Sequence, residues 1–302
     1  MNNQNLIIFT PSPAIDLYFD TANDGTSIRF TGRSSAGKGV NLARTLAALG
    51  LGSVCCLPLG EDNLEEYISG LDLFGKVDYR FTPLSGKTRE NRHINRNGDE
   101  QPMWGEGIAL GAEDIRKIFE EINKILTPTD VFCLCGSIPK GTDKAELISQ
   151  LRAIKARGAE LVIDTRSFTA EEIGYLYPSL IKPNKDEAEK YLSDLGLPAG
   201  DISALRTLAK RVLITKGGEG AMLLGDEDLA CTVPRVDVRC TVGAGDSALA
   251  GFVYSKLSDS SDAEALRFAT ACGSASCLSD GTLPPHPCEI KRLYEALTVT
   301  KI

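Results

Sequence analysis

Histidine and tryptophan are scarce in this chain, which has two His and one Trp among 302 residues. His93 and His286 are far apart in sequence, and no Cys-x-x-Cys pair occurs among the nine cysteines. A zinc site is therefore not expected. Because an odd number of cysteines cannot all pair internally, we interpret them as reduced, mostly buried thiols and expect a cytoplasmic protein. Cys133 and Cys135 would pack on one face of a strand.

Long apolar segments and an excess of positive charge are also absent. The run Leu6–Phe9 has the length of a strand and is stopped by Pro11 and Pro13, so it is not typical of a signal peptide. The same prolines stand where a dinucleotide-binding oxidoreductase would need its glycine-rich turn. No apolar run approaches the length of a membrane span. The formal net charge of −8 argues against a general nucleic-acid binder, and an anionic ligand would need a local basic pocket.

Strands and helices alternate regularly from Glu113 onward. The pattern predicts a helix from there to Leu126, a strand over Val131–Cys135, a helix over Lys144–Arg157 and a strand over Leu161–Asp164. Strands that alternate with helices of this length indicate a parallel sheet that is covered on both faces.

The strongest chemical signal lies in Thr241–Phe252. Gly243 and Gly245 permit a tight turn, and Asp246 follows where an apolar helix begins. Such a turn directs unpaired N–H groups at one point, where the helix dipole adds positive character. The pattern favours a phosphate site beside a carboxylate that can take a proton from a hydroxyl. The alternative is that Asp246 is only an N-cap.

Two earlier segments combine small and polar residues. Gly32–Asn41 fits a P-loop except at Gly39, which stands where Ser or Thr would bind magnesium, so we reject that interpretation. Lys38 instead supplies positive charge and Asn41 an amide suited to sugar hydroxyls, although a helix start with a solvated lysine is the alternative. Asp16, just beyond the first strand, is either a hydroxyl acceptor or a turn residue that bonds its own backbone.

Two later turns carry further signals. In Lys182–Glu187, Asn184 and Glu187 lie one helical turn apart, a spacing that a capping box also explains. After the predicted strand Val212–Thr215, repeated glycines allow a phosphate or ribose to approach the backbone. Alone, those glycines indicate only a hairpin.

These motifs resemble the signatures of the ribokinase-like (PfkB) carbohydrate kinases, in the family's order along nearly the whole chain. The resemblance is carried by Gly37–Asn41, Lys182–Glu187, Gly243–Asp246 and the basic segment Gly86–Arg96, which alternates like an edge strand. It implies a three-layer α/β/α fold with a mostly parallel central sheet and a small β-sheet lid.

The resemblance also implies an ATP-dependent sugar-phosphate kinase, closest to the 1-phosphofructokinase and tagatose-6-phosphate kinase branch. The expected reaction converts fructose 1-phosphate to fructose 1,6-bisphosphate. Asp246 would be the catalytic base, and the amides of Gly243, Ala244 and Gly245 would form an anion hole. Tagatose-6-phosphate kinase or another PfkB sugar kinase is the alternative within the class. A catalytically silent sugar-phosphate sensor is the alternative from another class, although such a sensor need not keep Asp246.

The resemblance further implies a set of ligand contacts. The expected sugar-binding residues are Asp16, Gly37, Lys38, Asn41, Arg89, Asn91, Ser137 and, more weakly, Arg29. The expected nucleotide-binding residues are Lys182, Asn184, Thr215, Gly217, Gly220 and Gly273. Mg²⁺ would be held by Asn184 and Glu187 through water. Arg89 would bind the phosphate that the sugar already carries.

The resemblance implies one kinase domain over residues 1–302, with lid segments inserted at about 17–34 and 86–108. The expected ligands are a sugar phosphate and ATP, with no nucleic acid or membrane partner. A homodimer joined through the lid is also expected. Such contact would cover the open edges of a short exposed sheet.

Overall fold

Two sheets and nine helices make up the described part of the chain. The computed structural model describes residues 4–21, 27–71, 75–96 and 99–302, and only the backbone of residues 96 and 99–101. Residues 22–26 and 97–98, which belong to the predicted lid segments, lie outside this description.

The strands, in chain order, are β1 Leu6–Phe9, β2 Ala14–Thr21, β3 Ile28–Ala36, β4 Ser53–Gly60, β5 Val77–Leu84, β6 Arg89–Arg96, β7 Asp99–Met103, β8 Val131–Cys135, β9 Glu160–Asp164, β10 Leu180–Ile181, β11 Val212–Thr215, β12 Ala221–Leu224, β13 Leu229–Cys231 and β14 Val299–Lys301. The α-helices are α1 Lys38–Ala48, α2 Leu64–Ser69, α3 Ala112–Asn123, α4 Lys144–Ala156, α5 Ala170–Leu176, α6 Lys185–Asp194, α7 Ala244–Leu257, α8 Asp262–Ser276 and α9 Pro287–Ala296. Among them, none has both the length and the apolar character needed to cross a membrane.

The large sheet has the order β14-β13-β12-β11-β10-β9-β8-β1-β4-β5. Every pairing from β11 to β5 is parallel, whereas β12, β13 and β14 extend the sheet antiparallel. Because parallel strands direct their carboxyl ends to one edge, the loops after β1, β8, β9, β10 and β11 meet there. Ligands of open α/β sheets bind at that edge.

Both faces of the large sheet are buried, which explains the continuous apolar runs in its strands. Ile8 and Cys133 face one core cluster, which α1, α7, α8 and α9 cover. Ile7 and Phe132 face the other, which α3, α4, α5 and α6 cover. The predicted three-layer α/β/α arrangement with a mostly parallel central sheet is therefore confirmed. Cys135 shares the first cluster with Cys133, as the period of two predicts.

The small sheet has the order β3-β2-β6-β7. β2 pairs antiparallel with β3 and parallel with β6, and β6 pairs antiparallel with β7. The prediction of an edge strand over Gly86–Arg96 is wrong, because β6 lies between two partners. Alternating polarity reports which face of a strand is exposed, but it does not report how many neighbours the strand has.

Candidate active site

A cavity of about 870 Å³ opens at the carboxyl edge of the large sheet and reaches the small sheet. Its lining includes Asp16 from β2, Asn91 from β6, Lys38 from α1 and Asp246 from α7. The volume falls in the upper range of ligand pockets, roughly 300–1,000 Å³. The residues that line it come from segments that are far apart in the sequence, from Ala14 to Thr282.

Nearly all of the predicted site residues line this cavity. They are Asp16, Gly37, Lys38, Asn41, Arg89, Asn91, Lys182, Asn184, Glu187, Thr215, Gly217, Gly220, Gly243, Ala244, Gly245, Asp246 and Gly273. Ser137 follows β8 and is half-buried outside the lining, and Arg29 is exposed on β3. Their roles in binding sugar stay predictions.

Asp246 is the third residue of α7, and the N-cap is Gly243, with a φ of 82°. The interpretation of Asp246 as a simple N-cap is therefore wrong. The carboxylate is 5% exposed, and its Oδ2 accepts a 2.8 Å hydrogen bond from Asn41 Nδ2. Burial raises the pKa of Asp246, and the nearby Asp164 carboxylate raises it further, although Lys38 opposes both effects. The result is a fixed carboxylate with increased proton affinity that faces the cavity.

The first turn of α7 supplies amide donors beside this carboxylate. The N–H of Ala244 already donates to Thr241 O at 3.2 Å. The N–H groups of Gly245 and Asp246 lie in the first turn, where a helix offers no acceptor four residues back. These two amides are therefore the donors available to an anion in the cavity. Of the predicted anion hole, Gly245 keeps its amide available, whereas the N–H of Ala244 is already bonded and Asp246 was not in the predicted set.

A buried carboxylate, Asp164, lies between two lysines that line the same cavity. Its Oδ1 accepts from Lys38 Nζ at 2.7 Å, and its Oδ2 lies 3.3 Å from Lys182 Nζ. Burial alone would raise the pKa of Asp164, but Lys182 and Lys38 lower it below the usual range. Burial likewise opposes the charge on Lys38, yet Asp164 and Asp246 together raise the pKa of its ammonium. Both groups of the Lys38–Asp164 pair therefore stay charged.

Asp164 was missing from the predicted site. The available signal was its position at the carboxyl end of β9, the same rule that pointed to Asp16. The structure also adds the loop Val233–Val238, together with Trp104, Ser274 of α8, and Cys277 and Thr282 after α8, to the cavity wall.

The wall formed by the small sheet presents polar groups for a hydroxylated ligand. Asn91 Nδ2 donates to Asp16 Oδ1 at 2.7 Å. Arg89 donates from Nη2 to Ser12 O at 3.1 Å, and its buried Nε has no hydrogen-bond partner among the described residues. Burial lowers the pKa of Arg89 and Arg166 adds to that effect, although Asp16 opposes it. A half-buried guanidinium with an unused donor is suited to an anion.

The opposite wall has the capping box that the sequence suggested. Asn184 is the N-cap of α6, its Oδ1 accepts from Glu187 N at 2.8 Å, and Glu187 Oε2 accepts from Asn184 N at 3.0 Å. The glycines form the predicted hairpin turn between β11 and β12. At Gly220, where φ is 96°, an added Cβ would lie 2.0 Å from Cys231 O, so only glycine fits.

Residues 10–288 match the pfkB family carbohydrate kinase. The chain belongs to this family. It is 28% identical over 282 residues to the 1-phosphofructokinase of Vibrio cholerae serotype O1, covering 89% of this chain and 88% of that protein. It is 24% identical over 315 residues to a tagatose-6-phosphate kinase of Staphylococcus epidermidis, covering 98% of this chain and all of that protein.

The fold matches crystal structures as well. The phosphofructokinase-2 of Escherichia coli in complex with substrates and products superposes with a TM-score of 0.84 and 25% identity, covering 97% of this chain and 99% of that one. This pfkB kinase is accordingly an ATP-dependent phosphotransferase with an alcohol group as acceptor, and its fold is ribokinase-like.

The cavity wall that holds Asn184 and Glu187 fits Mg²⁺ held partly by water. No cluster of three or more His, Cys, Asp or Glu that could cage a metal occurs among the described residues. Mg²⁺ usually keeps several waters and binds through one or two carboxylates and the phosphates of its nucleotide. Glu187 satisfies this requirement, because its Oε2 caps α6 while the residue lines the cavity beside Asn184.

Proposed function

We propose that this kinase transfers the γ-phosphoryl group of ATP to a hydroxyl of a phosphorylated ketohexose, with fructose 1-phosphate as its preferred substrate. One observation carries the proposal. A single cavity joins the buried Asp246, beside two lysines, to a wall that holds Arg89, Asp16 and Asn91. The similarity to a 1-phosphofructokinase supports the choice of sugar.

Asp246 takes the proton of the acceptor hydroxyl as the oxygen attacks phosphorus. Asn41 fixes the carboxylate through Oδ2 and leaves Oδ1 for the substrate. Burial raises the pKa of Asp246 and so increases its affinity for that proton. General-base catalysis of this kind contributes about 10²- to 10⁴-fold to a rate.

Positive groups around Asp246 stabilise the charge on the transferring phosphoryl group. The amides of Gly245 and Asp246 and the ammonium groups of Lys38 and Lys182 face the same space. Asp164 holds both ammonium groups in place before the nucleotide arrives. Preorganised donors of this kind need no reorganisation during the reaction.

Mg²⁺ would be held by Glu187 and Asn184 through water, and when bound it neutralises charge on the nucleotide phosphates. The glycines of the β11–β12 turn allow the nucleotide close to the backbone. Thr215, Gly217 and Gly220 line that part of the cavity.

At the sugar end, Arg89 binds the phosphate that the substrate already carries. Asp16 and Asn91 contact its hydroxyls, because they line the same cavity as Arg89 and Asp246. Tagatose 6-phosphate is the second candidate substrate, which the similarity to a tagatose-6-phosphate kinase favours.

The small sheet acts as a lid within one kinase domain and as the contact of a homodimer. Ile28 and Phe30 on β3 are 49% and 53% exposed, and Met103 on β7 is 55% exposed. These side chains lie on the two edge strands of the small sheet. Apolar groups on open strand edges favour burial against another chain.

The test is MgATP-dependent phosphorylation of fructose 1-phosphate, tagatose 6-phosphate, fructose 6-phosphate, fructose and ribose. We expect the highest kcat/KM with fructose 1-phosphate, and loss of most of kcat in Asp246→Asn. The matched control is Asp259→Asn, an exposed residue with φ 56°, a conformation that asparagine also tolerates. A preference for tagatose 6-phosphate keeps the mechanism and changes the substrate. Tight binding of a sugar phosphate without any turnover would instead favour a sensor.

A further inference from the structure

The Asp16 carboxylate is approached by two side chains from β6. β2 and β6 pair parallel, with Asp16 opposite Asn91 and Tyr18 opposite His93. Asn91 and His93 are two residues apart, so their side chains lie on the same face of the strand. Asn91 Nδ2 lies 2.7 Å from Asp16 Oδ1, and His93 Nε2 lies 3.5 Å from the same oxygen. The carboxylate is therefore oriented from one side.

The imidazole of His93 is itself fixed by aromatic rings. It stacks on Tyr18 with ring centroids 5.2 Å apart and an interplanar angle of 28°. Its edge contact with Trp104 has centroids 5.7 Å apart at 89°. His93 is only 4% exposed. Its ring can move little, so Nε2 stays directed at Asp16.

The same residues connect the sugar wall to the segment after β7. Asn91 Oδ1 accepts from Gly105 N at 3.2 Å, and the neighbouring Trp104 lines the cavity although it is 60% exposed. Both contacts of this segment, through Asn91 and through His93, lead to Asp16 Oδ1. Oδ2 of Asp16 has no donor among the described residues, which leaves it for a ligand hydroxyl.

We propose that His93 is a positioning residue, whose imidazole donates to Asp16 Oδ1 and so presents Oδ2 to the sugar hydroxyls. The inference rests on the proposed function, since it assigns the sugar to this wall. The 3.5 Å separation shortens when substrate binds, as catalytic hydrogen bonds of empty sites often do. Substrate affinity, and not the rate of phosphoryl transfer, is then the quantity that His93 controls.

Two variants of His93 distinguish the role of its N–H donor from the role of its aromatic ring. His93→Phe keeps an aromatic ring between Tyr18 and Trp104 and removes the donor. His93→Gln removes the ring and keeps an N–H donor at a similar reach. His286→Gln is the matched control, because His286 is the other histidine of the chain and lies exposed at the start of α9.

The measurements are the KM of the sugar phosphate, kcat, the KM of ATP and the Kd of the sugar phosphate by calorimetry. We expect His93→Phe to raise the sugar KM and Kd about tenfold, the order of one lost hydrogen bond to a charged group. Its kcat and its KM for ATP should stay within threefold of the wild type. His93→Gln should stay within threefold in every constant, as should His286→Gln.

The opposite pattern, with His93→Phe unchanged and His93→Gln impaired, would show that the ring acts by packing and would overturn the proposal. Equal loss in both variants, or a loss confined to kcat, would also overturn it. If the wild type turns over no sugar phosphate, the proposed function fails, whereas the calorimetric comparison of the variants still decides the role of His93. Thermal unfolding of each variant confirms that the compared proteins are folded.

Discussion

The two ends of the cavity are built in different ways. At the end that we propose for phosphoryl transfer (the transfer end), hydrogen bonds join residues that are far apart in sequence. Lys38 and Asp164 are separated by 126 positions, and Asn41 and Asp246 by 205. These residues come from α1, α7 and the end of β9. The whole α/β/α arrangement must form before the transfer end exists.

At the end that we propose for sugar binding (the sugar end), Asp16, Asn91 and His93 lie on two neighbouring strands of the small sheet. Their geometry depends on the register of β2 and β6 and on contacts with the segment after β7. Substitutions on these strands can therefore change substrate recognition while the transfer end stays intact. On this proposed assignment, substrate specificity and catalysis depend on separate elements, which is how kinases of one fold can share chemistry and differ in substrate.

The largest expected effect comes from Asp164→Asn, which leaves two lysines side by side without their shared carboxylate. We expect kcat to fall about 10²- to 10³-fold, because both ammonium groups lose their preorganised positions. The free energy of unfolding should fall by about 3 kcal/mol, since breaking a buried ion pair leaves an uncompensated charge. Steady-state kinetics and urea denaturation measure the two effects.

The double variant Asp164→Asn, Lys182→Met is the control for that prediction. Lys182 is 4% exposed, so its unpaired charge accounts for much of the expected loss of stability. Removal of the charge should restore part of the free energy of unfolding and none of the activity. Full activity in Asp164→Asn would show that the lysines do not need this carboxylate.

At the sugar end, Arg89→Leu should raise the KM of the sugar phosphate about 100-fold. The partly buried guanidinium would make a charge-assisted hydrogen bond to the phosphate. A water molecule in its place could not bind the phosphate as strongly. The KM of ATP should change less than threefold, because Arg89 lies on the small sheet. Arg92→Leu is the matched control, since Arg92 is exposed on the same strand. An equal effect in both variants would assign the change to β6 itself and not to phosphate binding.

The exposed face of the small sheet gives a prediction about dimer formation and not about activity. Phe30→Glu should convert a dimer into monomers, because it places a charge on an apolar side chain of edge strand β3. Light scattering and sedimentation equilibrium measure the mass. Tyr175→Glu is the control, since Tyr175 is 60% exposed on α5, outside the small sheet. A monomeric wild type, or a Phe30→Glu dimer, would exclude the small sheet as the contact.

The sequence predicted local features well. The glycine turn that begins a helix at Gly243–Asp246 and the capping box at Asn184 and Glu187 depend on residues within one helical turn, and the structure has both elements. The helix predicted over Lys144–Arg157 ends one residue earlier, at Ala156. Short-range patterns suffice wherever the interacting groups are close in the chain.

Pairings between distant segments could not be predicted in the same way. Asp164 is the clearest example, because its importance depends on Lys38 and Lys182, which only the folded sheet brings together. The placement of β6 inside the small sheet is another, since strand order is a long-range property. The cavity wall at Val233–Val238 carries no periodic pattern, and so no motif marked it.

The two buried carboxylates of the transfer end should have opposite effects on stability, and this is the smallest effect that we expect. The pKa of Asp164 is lowered on folding, so its contribution is present above the unfolded pKa and is lost as pH falls through the folded value. The pKa of Asp246 is raised, so folding is favoured at low pH and that contribution is lost as pH rises through the folded value. Asp246→Asn should therefore be more stable than the wild type at pH 7, by about 1 kcal/mol, as is common for strained functional groups.

Urea denaturation from pH 3 to pH 8 measures this contrast. The stability gain of Asp246→Asn should shrink as pH falls, whereas the loss in Asp164→Asn should shrink only at the acid end, where the wild-type carboxylate also becomes protonated. Asp259→Asn should follow the wild-type curve throughout. A destabilised Asp246→Asn at pH 7 would mean that Asn41 and Lys38 favour the ionised carboxylate more than burial opposes it. The charged groups of the transfer end would then stabilise the folded protein, and any loss of stability that catalysis requires would have to arise elsewhere in the fold.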